Sequence, residues 1–364
     1  MVNITPAFHT PPLLPPPLDY SGLIEEITQT TLALGRMDSS LAELPNRELL
    51  ISPLQTKEAQ VSSKIEGTQA TIEEVFDYEA REKESQSNST EQDIREILNY
   101  RIAMDQAVKE LEKRPIGENL IRELHAALLD SVRGRAKNPG NFRTGQVFIG
   151  SRGDTIAQAE YLPPHPGQFP ALLSNWEQYV NRDNPCPLVQ AGVAHYQFEA
   201  IHPFADGNGR VGRLLIPLML YQKKILSYPV LYLSDYFDRR REQYLENLRL
   251  VDREQQWEVW IKFFLQALKT QAEQTRDKIS QMRRVYEEAK QKIRRESSSG
   301  NALDLLDMLF IHPIISFGLI NKKLKINHQT IYNLLKKFEN WGLLKALPRG
   351  KRKVYVFGEL LEIL

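Results

Sequence analysis

The stretch His202-Pro-Phe-Ala-Asp-Gly-Asn-Gly-Arg-Val-Gly-Arg213 brings an imidazole, a carboxylate, several glycines and two guanidiniums into twelve residues. Gly207, Asn208 and Gly209 tolerate unusual backbone angles and let a ligand approach the main chain. From Arg210 the apolar residues fall at helical spacing through Leu214, Leu215 and Leu218. A helix therefore opens on the glycine-rich loop, with its N–H groups and dipole facing an anion there. Arg210 and Arg213, three apart, share one face of the first turn. Cations at that end oppose the macrodipole unless an anion sits between them, and a polyphosphate supplies one. Asp206 is a poor phosphate ligand but a good magnesium ligand, bridging to phosphate oxygens. His202 can serve as a general base near neutral pH. Base, metal ligand, anion cradle and guanidinium pair together point to phosphate-group transfer. The bland alternative is a glycine-rich turn with a surface histidine and two solvated arginines, and the number of positions that fit one mechanism weighs against it.

The elements that must hold this stretch are helical. Leu188 to Ile201 carries apolar residues at helical spacing, and His202 precedes a proline, which ends that helix. Helical patterning also covers about Tyr20 to Glu112, Glu118 to Val132, and Phe169 to about Arg295. Thr71-Ile-Glu-Glu74 reads as a capping box, and Ser85 to Thr90 as a polar loop. Between Asn138 and Pro166, a β-type run at Gln146 to Ile149, a turn at Ser151 to Asp154 and a second run to Leu162 predict a hairpin. Lys269 to Arg295 is a charged helix with a narrow seam at Ile279, Met282, Tyr286 and Ile293, expected to pack on its own chain.

The ends differ in character. Six prolines in the first twenty residues make an extended arm or tail. After a hinge at Ser297 to Gly300, short helices at Ala302 to Phe310, Phe317 to Leu324 and His328 to about Trp341 lead into two strands around Pro348-Arg-Gly350. Asn327 would cap the third helix. That order is the winged helix-turn-helix one. Asn321 to Lys353 holds ten basic residues and one acid, Glu339.

With 364 residues, 41% hydrophobic and 26% charged, the chain is neither disordered nor a disulfide scaffold. Its 47 basic and 46 acidic residues give no overall charge signal. Its longest apolar run, Leu214 to Leu220, is broken by Pro217 and cannot span a bilayer, and no secretory signal is visible. A single cysteine, Cys186, fits a reducing, cytoplasmic setting.

The motif resembles the signature of the Fic family, His-Pro-Phe-x-(Asp or Glu)-Gly-Asn-Gly-Arg-x-x-Arg, at every fixed position. The resemblance implies a mainly α-helical core over about 116–266 with a β-hairpin flap. It also implies an N-terminal arm and helical region over 1–115. A linker helix and hinge at 267–300 and a winged helix-turn-helix domain at 301–364 complete the expected order. Most Fic proteins are protein adenylyltransferases, moving AMP from ATP to a Ser, Thr or Tyr hydroxyl of a target protein. By that resemblance His202 would be the base and Asp206 would hold Mg²⁺. The segment from Gly207 through Asn208, Gly209, Arg210, Val211 and Gly212 to Arg213 would bind ATP, with Arg210 and Arg213 on the β- and γ-phosphates. Tyr244 is a purine-pocket candidate by spacing alone. Val147, Ile149, Gly150 and Tyr161 would form the flap that pairs with the target's backbone. Ser62-Ser-Lys-Ile-Glu-Gly67 resembles the family's inhibitory (Ser or Thr)-x-x-x-Glu-(Gly or Asn) motif. Ser62, Glu66 and Gly67 would thus form a class II inhibitory helix whose Glu66 captures Arg213 and also lies beside ATP. Gly67 is a natural residue just past a helix end, which leaves Glu66 where an anion is disfavoured and seeks a cation.

Three rival activities share these residues. The related Doc-type kinase typically has Lys where Gly209 stands and lacks the second arginine. A phosphocholine transferase would use the same motif. A transcription regulator would work through the basic C-terminal segment on DNA, and a second copy of the chain is a further candidate partner.

Overall fold

The structure, a computed structural model, describes residues 8–42, 46–81, 89–130, 137–150, 153, 155–297, 299–349 and 352–364. Its first helices are α1 (Ile24–Ala42), α2 (Arg47–Ile65), α3 (Ile72–Glu79), α4 (Ser89–Leu111) and α5 (Glu118–Leu128). The middle of the chain forms α6 (Phe169–Asn181), α7 (Pro187–Ile201), α8 (Asn208–Gln222), α9 (Ser234–Arg239), α10 (Arg241–Glu254) and the long α11 (Trp257–Glu296). There follow α12 (Gly300–Ile311), β1 (Ile314–Ser316), α13 (Phe317–Leu324), α14 (His328–Asn340), β2 (Lys345–Arg349), β3 (Arg352–Val356) and α15 (Gly358–Ile363). The protein is mainly α-helical, as expected, with one small antiparallel sheet ordered β1-β3-β2. Two compact units emerge: 1–35 with 99–272, and 36–98 with 273–364. That grouping cuts across the four segments expected from sequence.

In the first unit α7 is buried on almost every face, with α6 and α8 packed on it. A helix apolar all round belongs in a core. Trp176 of α6 donates its indole N–H to Ala194 O at 2.8 Å, and Trp260 of α11 donates to Gly192 O at 2.9 Å. Gly192 permits the second contact, because a Cβ there would lie 2.8 Å from the Phe264 ring. The proline-rich arm wraps this unit. Leu14 exchanges two hydrogen bonds with the Asn175 side chain, and the His9 N–H reaches Leu162 O.

Among the described residues the expected hairpin is reduced to a single antiparallel bridge, Ile149↔Tyr161, between Gln146–Ile149 and the run to Leu162, with a short 3₁₀ turn at Ile156–Gln158. Glycines at 145 and 150 and prolines at 163 and 164 bound the runs, and two such short segments with no third strand make few ladder bonds. Residues 151, 152 and 154 of the expected turn lie outside the described residues.

In the second unit the local signals hold. Thr71 and Glu74 form the reciprocal capping box of α3, and the Asn327 side chain accepts from Thr330 N at 2.8 Å to cap α14. Glu66 closes α2 and Gly67 follows at φ +100°, the position only glycine takes easily. The seam of α11 is buried at Ile279, Met282, Val285, Ala289 and Ile293, while Tyr286 is half-buried and bonded to Asp307. Residues 85–88 of the expected polar loop and 298 of the hinge lie outside the described residues; Ser89 and Thr90 open α4. α12 packs on α2, and β1 lies against α3. Asp77 of α3 meets Arg352 at 3.2 Å and Arg349 at 4.0 Å, so α2 and α3 share one unit with the C-terminal segment.

Candidate active site

α7 ends at His202, whose place before Pro203 disfavours the helical region, and His202 takes φ +50°, ψ +58°. A left-handed histidine persists only when its surroundings hold it. Here the Arg143 N–H donates to Pro203 O at 2.9 Å and its Nε donates to His202 O at 2.9 Å. The chain then runs to Gly207 at φ +80° and enters α8 at Asn208. The first helical bond is Val211 N–H to Gly207 O at 3.0 Å, so the N–H groups of the first turn face the loop side. The Asp206 carboxylate, 45% exposed, accepts the Gly207 N–H and lies 3.6 Å from the Arg210 guanidinium.

Arg210 and Arg213 are each 3% exposed. They are therefore not the solvated pair of the bland alternative. Two buried guanidiniums at the positive end of a helix dipole make a strong anion site.

Other sequence candidates take different places. The Asn208 side chain is buried and spent on the loop: its Oδ1 accepts Phe204 N–H at 2.8 Å and its Nδ2 donates to Phe204 O at 2.9 Å. It shapes the cradle through the main chain. Val211 is fully buried, and Gly212 lets α8 approach α7, since a Cβ there would meet the Glu199 carboxylate at 2.2 Å. Tyr244 is a core residue, 5% exposed, stacked on Phe237 at 4.4 Å and bonded through its hydroxyl to His195 Nε2 at 2.9 Å. On the flap, Phe148 and Ile149 are each 38% exposed, while the Tyr161 hydroxyl donates to Ala200 O at 2.7 Å and anchors the segment to α7. Ser62 is fully buried in α2.

Two residues of this site escape sequence reasoning, Arg143 and His125. His125 sits on the apolar face of α5 beside Leu124 and Leu128, where a histidine reads as core. Its pKa is pulled down to about 4, chiefly by burial and further by the Arg210 charge, so the ring is neutral. His195, fully buried, is pulled to about 3 by the same main cause.

Both folded values lie below the unfolded one, so the stability they lend is complete above about pH 6.5 and is lost as pH falls toward 4 and 3. Each contributes a slope of about 1.4 kcal/mol per pH unit in that window. The thermal midpoint is expected to fall steadily from just below about pH 6.5. A level midpoint from about pH 7 to about pH 5 contradicts these buried neutral histidines.

The Asp206 carboxylate, accessible at the mouth of the glycine loop, fits a divalent ion shared with phosphate oxygens.

Residues 24–109 match the Fic/DOC family N-terminal profile and 115–220 match the Fic/DOC family profile. Curated relatives named protein adenylyltransferase Fic, from Drosophila melanogaster and Drosophila sechellia, are 32% identical over 164 residues. That is 43% of this chain and 29% of theirs, so the match spans under a third of those proteins. A Fic family protein from Desulfovibrio desulfuricans G20 shares the fold at TM-score 0.58 and 20% identity, over 96% of this chain and 98% of its own. Fic-1 from C. elegans, residues 134 to 508, aligns at TM-score 0.53 and 17% identity over 73% and 75%. No helix among the described residues is long and apolar enough to cross a membrane. The two profiles follow one another along more than half of the 364 residues and take in the whole of the buried-arginine loop, and on that ground the chain belongs to the Fic/DOC family.

Proposed function

We propose that this chain is a protein adenylyltransferase that moves AMP from ATP to a Ser, Thr or Tyr hydroxyl of a target protein, itself included. The observation that carries the reading is the pair of buried guanidiniums, Arg210 and Arg213, on the first turns of α8. They suit the β- and γ-phosphates of a triphosphate, which then become the leaving group. Gly209, where the kinase-type relative typically has lysine, favours the same outcome. The relatives named protein adenylyltransferase Fic support it.

His202 accepts the proton of the target hydroxyl. The freed oxygen bonds to the α-phosphorus as the α–β anhydride bond breaks, and pyrophosphate departs on Arg210 and Arg213. The main chain from Gly207 to Gly209 cradles the phosphates. Asp206 would hold Mg²⁺, which when bound neutralises phosphate charge. The Val147–Gly150 edge, facing Tyr161, would take the target's backbone as an added strand. Glu66 at the end of α2 would restrain the enzyme by capturing Arg213. The buried free thiol of Cys186 fits a cytoplasmic setting. Intact-mass measurement of a modified target tests the chemistry. A gain of one AMP group supports the reading, and a gain of one phosphate or one phosphocholine overturns it.

A second reading concerns DNA. The α12–β1–α13–α14–β2–β3 order is one a winged helix-turn-helix would have, and the outer face of α14 exposes Gln329, Tyr332, Asn333, Lys336 and Lys337. Those types suit base edges and phosphates in a major groove. Asp77 already engages Arg349 and Arg352, so α13 and α14 would carry the contact. Gel retardation of a mixed duplex is expected at low salt and not at high salt, and to disappear in Lys336→Glu/Lys337→Glu. No retardation of the wild type at low salt ends this reading.

A further inference from the structure

We propose that His125 and Arg143, both outside the twelve-residue motif, are positioning residues that fix the catalytic segment, His125 at Asp206 and Arg143 at His202. The proposal rests on the phosphate-transfer reading of that segment.

His125 Nδ1 lies 2.9 Å from Gly140 N, whose hydrogen it must accept. The ring hydrogen is therefore on Nε2, which donates to Asp206 O at 3.0 Å. The ring also stacks on Phe204 with centroids 3.7 Å apart and planes 10° from parallel. It reaches within 3.5 Å of where a Cβ on Gly207 would stand, so the loop closes directly onto the ring. One neutral side chain thus ties α5 and the loop at Gly140 to the motif at Phe204 and Asp206.

Arg143 holds the other end. Besides Nε to His202 O, its guanidinium donates to Gly145 O at 3.1 Å and to Pro164 O at 2.7 Å, with its face 4.6 Å from the centre of the Phe169 ring. It is 5% exposed, and no carboxylate among the described residues pairs with it. A planar fork whose acceptors are all main-chain carbonyls defines the position of each of them. It locks the start of the motif to the base of the flap. His202, Pro203, Phe204 and Asp206 are then each tied through their main chain, with Asn208 closing the frame on Phe204. A base and a metal-binding carboxylate displaced by an ångström lose most of their effect.

Two substitutions split the two hydrogen bonds of His125. His125→Asn keeps an acceptor near Nδ1 for Gly140 and loses the donor to Asp206, whereas His125→Gln keeps a donor near Nε2 for Asp206. With ATP and self-labelling as the readout, His125→Asn is expected to lower kcat by at least about tenfold with KM for ATP changed less than about twofold. His125→Gln is expected to stay within about threefold of wild type. Arg143→Lys, which keeps the charge and loses the fork, should follow the asparagine variant. Amide hydrogen exchange over 202–209 reads the same frame without any turnover. It should speed up in His125→Asn and Arg143→Lys and stay near wild type in His125→Gln. Equal exchange and equal activity in the two His125 variants, or activity that simply follows the thermal midpoint across the set, overturns the proposal. A Glu66→Gly protein with His125 and Arg143 intact that binds ATP and labels nothing, while the exchange pattern holds, refutes the adenylyl-transfer reading and leaves the frame standing.

Discussion

Replacing His202 with alanine is expected to lower adenylyl transfer by at least about a hundredfold while ATP binding stays within about threefold of wild type. The imidazole is carried at the end of α7 by a left-handed His202 backbone whose carbonyl is held by Arg143. Its proposed role is to take one proton, a contribution of about 10²–10⁴ in rate for a well-placed base. On the proposed reading the triphosphate would be held elsewhere, by the first turns of α8 and their two buried arginines. Loss of rate with binding retained is therefore the signature, read by single-turnover labelling beside ATP titration. Arg213→Ala should show the reverse emphasis, with weakened productive binding of ATP. Near wild-type turnover in His202→Ala on the same target would mean another group is the base.

The second large effect is a gain. Glu66→Gly is expected to raise self-modification by at least about tenfold. Glu66 closes α2, where the helix dipole disfavours an anion, and Gly67 turns the chain away behind it. Such a carboxylate is stabilised by a cation, and Arg213 at the opposite kind of helix end suits it. If Glu66 captures Arg213 as proposed, the γ-phosphate would be displaced and the α-phosphorus would be out of line with the attacking oxygen. A charged, partly shielded pair biases the competent population by about 1–3 kcal/mol, or about tenfold to a hundredfold. Glu66→Asp, one methylene shorter, should release part of the restraint. Combining Glu66→Gly with Arg213→Ala should lose the gain, because the freed arginine is what the first change provides. Equal labelling by wild type and Glu66→Gly would leave Ser62 to Gly67 as an ordinary helix end.

Local signals were well legible. The capping box at Thr71, the cap at Asn327, the glycine turn at Gly67 and the stop at His202 each depend on a few neighbouring residues, and all stand where the residues put them. What depends on distant partners was not legible. β1 is three residues long and exists because β3 pairs with it from far along the chain. Nothing local in α2 or α3 announces that they share a unit with α12 and the sheet. The flap runs read as two strands and made one bridge, since pairing needs more length than their glycines and prolines leave. Tyr244 was placed by spacing, whereas an aromatic cluster with Phe237 and His195 decides its position. Within the site, the motif supplies the proposed base, carboxylate and arginines. The frame around it, His125 and Arg143, lies outside the motif, and main-chain carbonyls as acceptors leave no trace in a pattern of side chains.

Parallel incubation of the purified chain with α-labelled and γ-labelled ATP, in the Glu66→Gly background to raise the signal, tests adenylyl transfer most directly. Covalent label on protein from the α position alone, absent in the same protein carrying His202→Ala, is the predicted result. Label from the γ position, or none from either while ATP is bound, contradicts it.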